Sequence, residues 1–133
     1  MIAVDTNVLL RYVLSDDHDQ SPLAVELIDK NCSLQEPALV PNIALAEVVW
    51  VLIRNRKRPK FEIVEMLWDL LDNAHLTFES RDAVERAVEE YEAGPADFAD
   101  YLIATSAAVH AASPTYTFDV DAARRPPFKL LQK

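Results

Sequence analysis

The sequence predicts an α/β fold: a short parallel β-sheet with helices covering both faces. Three observations carry that expectation. Short apolar runs such as Ile2 to Val4, Ala38 to Val40 and Thr115 to Phe118 alternate with longer stretches whose apolar residues recur at helical spacing, and such alternation favours parallel pairing through helical crossovers. Glycine is almost absent, Gly94 being the one example, so chain reversals fall to Pro, Asn, Asp and Ser, and neither a P-loop nor a dinucleotide-binding loop is present. The 133 residues are half apolar and 26% charged, the size and composition of one compact domain over 1–133.

In chain order, Ile2 to Val4 reads as a strand followed by a helix from about Asn7 to Leu14. A polar break at Ser15 to Gln20 precedes a helix from about Ser21 to Lys30. The strand Ala38 to Val40 ends at Pro41, and Asn42 is expected to cap a helix from Ile43 to about Asn55. Phe61, Val64, Leu67, Trp68 and Leu71 form a helical stripe within Lys60 to Asn73. Leu76 to Phe78 is a strand, Asp82 to Glu92 a polar helix, and Gly94-Pro95 a break. Asp97 to Ala112 is helical, Thr115 to Phe118 a strand, and Phe128 to Leu131 a last strand.

The net charge of -9 argues at first against a nucleic-acid ligand. Nine of the thirteen basic residues nevertheless fall in two stretches, one holding Arg54, Arg56, Lys57, Arg58 and Lys60, the other Arg124, Arg125, Lys129 and Lys133. Solvated helix ends and a solubilising tail account for either cluster singly; together they leave room for a local phosphate-binding surface, with Arg54, Arg56, Lys57 and Arg58 as the candidates. Cys32 is the one cysteine, which suits a reducing interior. The opening MIAVDTN lacks the form of a secretion signal, and no apolar run approaches the roughly 20 residues of a membrane span, so a cytoplasmic location is expected.

The chemistry is expected at the carboxyl ends of the strands, where parallel α/β sheets bind ligands. Asp5 follows the first strand and Asp119 follows Thr115 to Phe118. Glu47 lies in the first turns of the helix that leaves the second strand. Asp97 and Asp100 begin the helix that leads back to the strand at Thr115. Glu47 stands in the nearly unbroken apolar run Ala44 to Leu52, where a charge is costly unless paired or metal-bound. Clustered carboxylates raise one another's pKa values, and a hard divalent cation such as Mg2+ or Mn2+ resolves the repulsion. Such a cation can activate water and stabilise an in-line displacement at phosphorus. His18, His75 and His110 show no ligand spacing. Simpler roles exist for each acid: Asp5 or Asp97 as a helix cap, Asp119 or Asp121 in a turn, Glu47 paired with Arg11 or Arg54. Trp50, Trp68, Tyr101 and Phe98 read as packing residues rather than base-stacking ones.

Four segments, Val4-Asp5-Thr6-Asn7-Val8-Leu9-Leu10-Arg11-Tyr12, Leu45-Ala46-Glu47-Val48, Asp97-Phe98-Ala99-Asp100-Tyr101-Leu102-Ile103-Ala104 and Thr117-Phe118-Asp119, resemble PIN domains in order and spacing. Within that superfamily the sequence is similar to the VapC-type toxins of bacterial toxin–antitoxin pairs. The resemblance implies a three-layer α/β/α sandwich with a short parallel central sheet. It also implies a Mg2+- or Mn2+-dependent endoribonuclease that leaves a 5′-phosphate and a 3′-hydroxyl. Asp5, Glu47, Asp100 and Asp119 match the family's acidic quartet. Asp100 is preferred to Asp97 as the third acid because it directly precedes the apolar helix; Asp97 is then an accessory, and the inverse assignment stays open. Thr6, Asn7 and Thr117 resemble positions that orient the carboxylates. A homodimer and a cognate VapB-like antitoxin are further implications. Two rival readings stand beside this one. The first is a catalytically silent PIN-like module that binds RNA or a partner. The second is a phosphatase using Asp5 as nucleophile, which usually wants a second acid two residues on, where Asn7 stands.

Overall fold

All five expected strands form, and all pair in parallel in a computed structural model that describes residues 1–133. The chain divides into two compact units, Met1–Arg81 and Asp82–Lys133. The parallel pairing is correspondingly found in two sheets, one of three strands and one of two, where the sequence predicted a single central sheet.

In the first unit, β1 (Ile2–Ala3), β2 (Ala38–Val40) and β3 (Leu76–Phe78) lie in that spatial order. Ile2 is opposite Ala38, and Ala38 is opposite Leu76. The ladder continues past β1, where the Val4 amide donates to the Leu39 carbonyl at 3.0 Å. Ala38, Val40, Leu76 and Phe78 are buried while Leu39 and Thr77 between them are half-buried, as the alternation of side chains across a strand requires. Helices α1 (Thr6–Leu14), α2 (Gln20–Val25), α3 (Asn42–Arg54) and α4 (Lys60–Asp72) supply the rest of this unit's core. Leu9, Ile28, Leu45, Val48, Ile63, Leu67 and Leu71 are all essentially inaccessible. Removing each such side chain from water is worth about 1.5–3 kcal/mol before entropy is counted.

Two details differ from the sequence reading. The second helix does not run evenly to Lys30: its last turn, Glu26–Lys30, widens to π geometry. Pro41, in extended conformation, occupies the cap position of α3, and Asn42 is the first helical residue. The Glu79 carboxylate, directly after β3, accepts from the Asn42 amide at 2.6 Å. That distant acid does the capping that the sequence assigned to Asn42 itself.

In the second unit, β4 (Thr115–Thr117) pairs with β5 (Phe128–Leu130), with Thr115 opposite Phe128. The helices are α5 (Arg81–Ala93) and α6 (Phe98–Val109). Val84, Val88, Phe98 and Tyr101 are fully buried, and the expectation that Phe98 and Tyr101 serve packing holds. Tyr91 meets Phe98 edge-on at 6.0 Å, and Tyr101 lies 5.6 Å from Phe128. Thr105, also buried, satisfies its hydroxyl by donating to the Ala83 carbonyl at 2.8 Å, so α6 is tied to α5 at a fixed height. Arg125 closes the unit by donating to the Ala93 carbonyl and pairing with Glu90 at 3.2 Å. No helix is long and apolar enough to cross a membrane.

Candidate functional site

The first unit carries Asp5 and Glu47. Asp5 follows β1 in extended conformation and caps α1, its Oδ1 accepting from the Val8 amide at 2.9 Å. The cap and the candidate chemical role coexist: one oxygen is committed to the helix and the residue remains exposed. Glu47 sits in the second turn of α3, which leaves β2 at its carboxyl end. Because β1 and β2 are parallel, α1 and α3 start at the same edge, and the Thr6 hydroxyl donates to Glu47 Oε1 at 2.9 Å. The Thr6 hydroxyl thus engages one oxygen of the Glu47 carboxylate.

Glu47 is not buried in the apolar run that surrounds it in the sequence; it is exposed. The side chains that α3 buries are Ala44, Leu45, Val48, Val49 and Leu52, leaving Ile43, Glu47, Trp50 and Arg54 along the opposite face. The desolvation argument for Glu47 is thus overturned, and so is the packing role of Trp50, which is 55% exposed. Glu47 has no arginine partner either. Arg11 turns to Asp16, Asp17 and Gln20, and the Arg54 guanidinium lies over the Trp50 ring at 5.9 Å. Asp5 and Asn7 line a depression of about 300 Å³ together with Val8, Arg11, Gln20 and Leu23. A larger cavity of about 740 Å³, which includes Tyr12, Asp29 and Asn73 in its lining, holds none of the candidate acids.

The second unit carries Asp97, Asp100 and Asp119. Asp97 caps α6, and Asp97 and Asp100 form a reciprocal capping box in which Asp100 Oδ2 accepts from the Asp97 amide at 3.3 Å. Asp97 is exposed and Asp100 half-buried. The Asp100 carboxyl titrates above the ordinary carboxylate value: burial is the chief cause, and the charges of Asp97 and Asp119 push the same way, against the amide bond that lowers it. Asp119 is thus close enough for its charge to act on Asp100. The Asp119 amide donates to Thr117 Oγ1 at 3.0 Å, while Asp119 Oδ1 accepts from the amides of Asp121 and Ala122. Thr117 accordingly fixes the backbone that bears Asp119 rather than touching the carboxylate. Asp121 faces Arg124 at 3.3 Å, which separates it from Asp119 in role.

Within either unit, no group of three or more His, Cys, Asp or Glu side chains is gathered so that it could hold a metal ion. The donor chemistry still fits a hard divalent cation. Every candidate ligand atom is a carboxylate oxygen, and the half-buried Asp100 carboxyl also feels the charges of Asp97 and Asp119, a repulsion that a divalent cation relieves. Of the basic candidates, Arg56 is paired with Asp16 at 2.8 Å and Arg58 with Glu62 at 3.3 Å. Arg54 and Lys57 carry no such ion pair.

Comparison with curated proteins gives no significant match. The PIN domain family matches residues 2–127, a span that contains every candidate acid. PIN domains are generally a nuclease fold and commonly depend on divalent metals. With the fold and nearly the whole length accounted for, the chain belongs to the PIN domain family.

Proposed function

We propose that this PIN domain is a metal-dependent endoribonuclease that hydrolyses RNA phosphodiester bonds with Mg2+ or Mn2+, and that it is the VapC-type toxin of a toxin–antitoxin pair. The observation that carries the catalytic part is the half-buried Asp100, whose carboxyl pKa is raised chiefly by burial, with the charges of Asp97 and Asp119 adding to it, a setting common to functional sites. Asp5, Glu47, Asp100 and Asp119 would hold the cation, with Asp97 as an accessory. When bound, the cation supplies water activation and neutralises charge developing at phosphorus. The chain's own residues do the positioning. Thr6 fixes Glu47 through Oε1, leaving Oε2 for a ligand. The α1 cap fixes Asp5, and the turn through Thr117 and Ala122 fixes Asp119.

The remaining parts of the proposal are a single functional domain over 1–133, a homodimer, a cytoplasmic location and control by a VapB-like antitoxin. The homodimer and the antitoxin rest on the resemblance of the four quoted segments, and the single domain and cytoplasmic location on length, composition and the lone cysteine. The discriminating assay is cleavage of total cellular RNA with Mn2+ or Mg2+, against EDTA and an Asp5→Asn variant. Asn caps a helix about as well as Asp, so this variant keeps α1 intact. Defined fragments that need metal and vanish in the variant support the nuclease. Well-folded protein that cuts no RNA under any of these conditions favours the binding-module reading instead.

A further inference from the structure

The exposed face of α3 holds more than Glu47. Ile43, Glu47, Trp50 and Arg54 recur at intervals of four, three and four residues, which places them on one side of a helix. Ile43 is 72% and Trp50 55% exposed. An indole ring left in water is costly, yet this one is backed by the Arg54 guanidinium at 5.9 Å from its centroid. The basic segment after α3 is also selective in what it leaves open. Asp16 neutralises Arg56 and Glu62 neutralises Arg58, so the charges of Arg54 and Lys57 remain for a ligand.

We propose that Trp50, with Arg54 beside it, is a base-stacking platform for single-stranded RNA that sets the position of the strand next to Glu47. The inference rests on the nuclease reading above. Single-stranded RNA is recognised by stacking unpaired bases on aromatic rings or guanidinium planes, and this face offers both, 5.9 Å apart. Arg54 also supplies a charge for the adjoining phosphate. Trp50 lies three residues from Glu47 on the same side, so a base held there brings its own backbone to the acid. A second copy of the chain seated over Trp50 would cover Glu47 as well, and the face is half ionic. RNA therefore fits it better than a protein copy does.

The chain has two tryptophans, so Trp68→Phe leaves Trp50 as the sole indole reporter. The probe is a single-stranded RNA of about a dozen nucleotides, presented with Mg2+ to protein that also carries Asp5→Asn, so that the strand stays whole. Saturable quenching of Trp50 emission is expected. In fluorescence anisotropy with labelled RNA, Trp50→Ala should weaken binding about tenfold and Trp50→Phe by no more than about threefold. RNA binding with unchanged emission and full affinity in Trp50→Ala overturns the platform while leaving the nuclease standing. A dimer that becomes monomeric in Trp50→Ala with RNA affinity intact also overturns it, making the face a contact between copies. Failure of every form to bind RNA overturns it too, and the cleavage assay with wild-type protein then tells whether the nuclease reading falls with it.

Discussion

Ionising Asp100 works against the fold. Burial is the larger cost and the charges of Asp97 and Asp119 add to it, so the native-state pKa lies above the ordinary 3.8. The sign follows from proton linkage. A folded-state pKa raised above the unfolded value gives a contribution that is full below pH 3.8 and is lost as pH rises through the folded pKa. At neutral pH the ionised carboxylate therefore destabilises. Asp100→Asn keeps an acceptor for the Asp97 amide and removes the charge. We expect it to melt at a higher temperature than wild type at pH 7 without added metal, and to show no such advantage below pH 3.8. The same variant should lose about a hundredfold or more of RNA cleavage. Thermal unfolding at the two pH values and a cleavage assay check both halves. The acids themselves were legible in the sequence because Asp5 and Asp119 follow strands, Asp97 and Asp100 stand at the start of α6, and Glu47 lies early in the helix that leaves β2. The error at Glu47 has a physical cause: α3 is apolar nearly all round, so sequence alone does not say which side faces water. The signal was present in the spacing of Glu47 and Arg54, seven residues apart, which puts two charges on the face that Trp50 shares.

At the scale of elements, α6 is the piece whose placement matters most, since its first turn carries Asp97 and Asp100. Tyr101 anchors that turn from inside the unit. Its ring packs on Phe128, and its hydroxyl accepts from the Ala96 amide at 3.2 Å. Gly94 permits this arrangement through space alone: a Cβ there would collide with the Tyr101 hydroxyl and come within 3.1 Å of the Glu90 carbonyl. Gly94→Ala should thus destabilise by about 1–3 kcal/mol, the usual cost of overpacking, and lower cleavage by shifting the α6 start. Urea unfolding measures the first effect, and cleavage kinetics on the folded fraction measure the second. Strand and helix positions were legible because apolar spacing and the breaks at Pro41 and Gly94-Pro95 mark them directly. The start of α3 was misread by one residue because its cap is supplied by Glu79, 37 positions away in sequence. The π turn at Glu26–Lys30 has no local breaker to announce it.

For the whole molecule, the charge of -9 conceals local matching. Arg56, Arg58, Arg124 and Arg125 each face an acid, which is why two basic stretches in the sequence reduce to few open cations in the fold. Strand alternation made the parallel α/β class legible, whereas the division of the pairing into two sheets was not, since register and edge positions depend on packing that no single run encodes. The four acids are shared equally between the two compact units, Asp5 and Glu47 in one, Asp100 and Asp119 in the other. The central proposal is that all four acids serve divalent-cation binding. Titration of Mn2+ into metal-free protein, followed calorimetrically for wild type, Asp5→Asn, Glu47→Gln, Asp100→Asn and Asp119→Asn, tests it most directly. We expect wild type to bind and each substitution to weaken binding by about tenfold or more. Binding that survives unchanged in Asp100→Asn and Asp119→Asn, or wild-type protein that takes up no Mn2+, would contradict the claim and reduce those acids to helix-cap and turn residues.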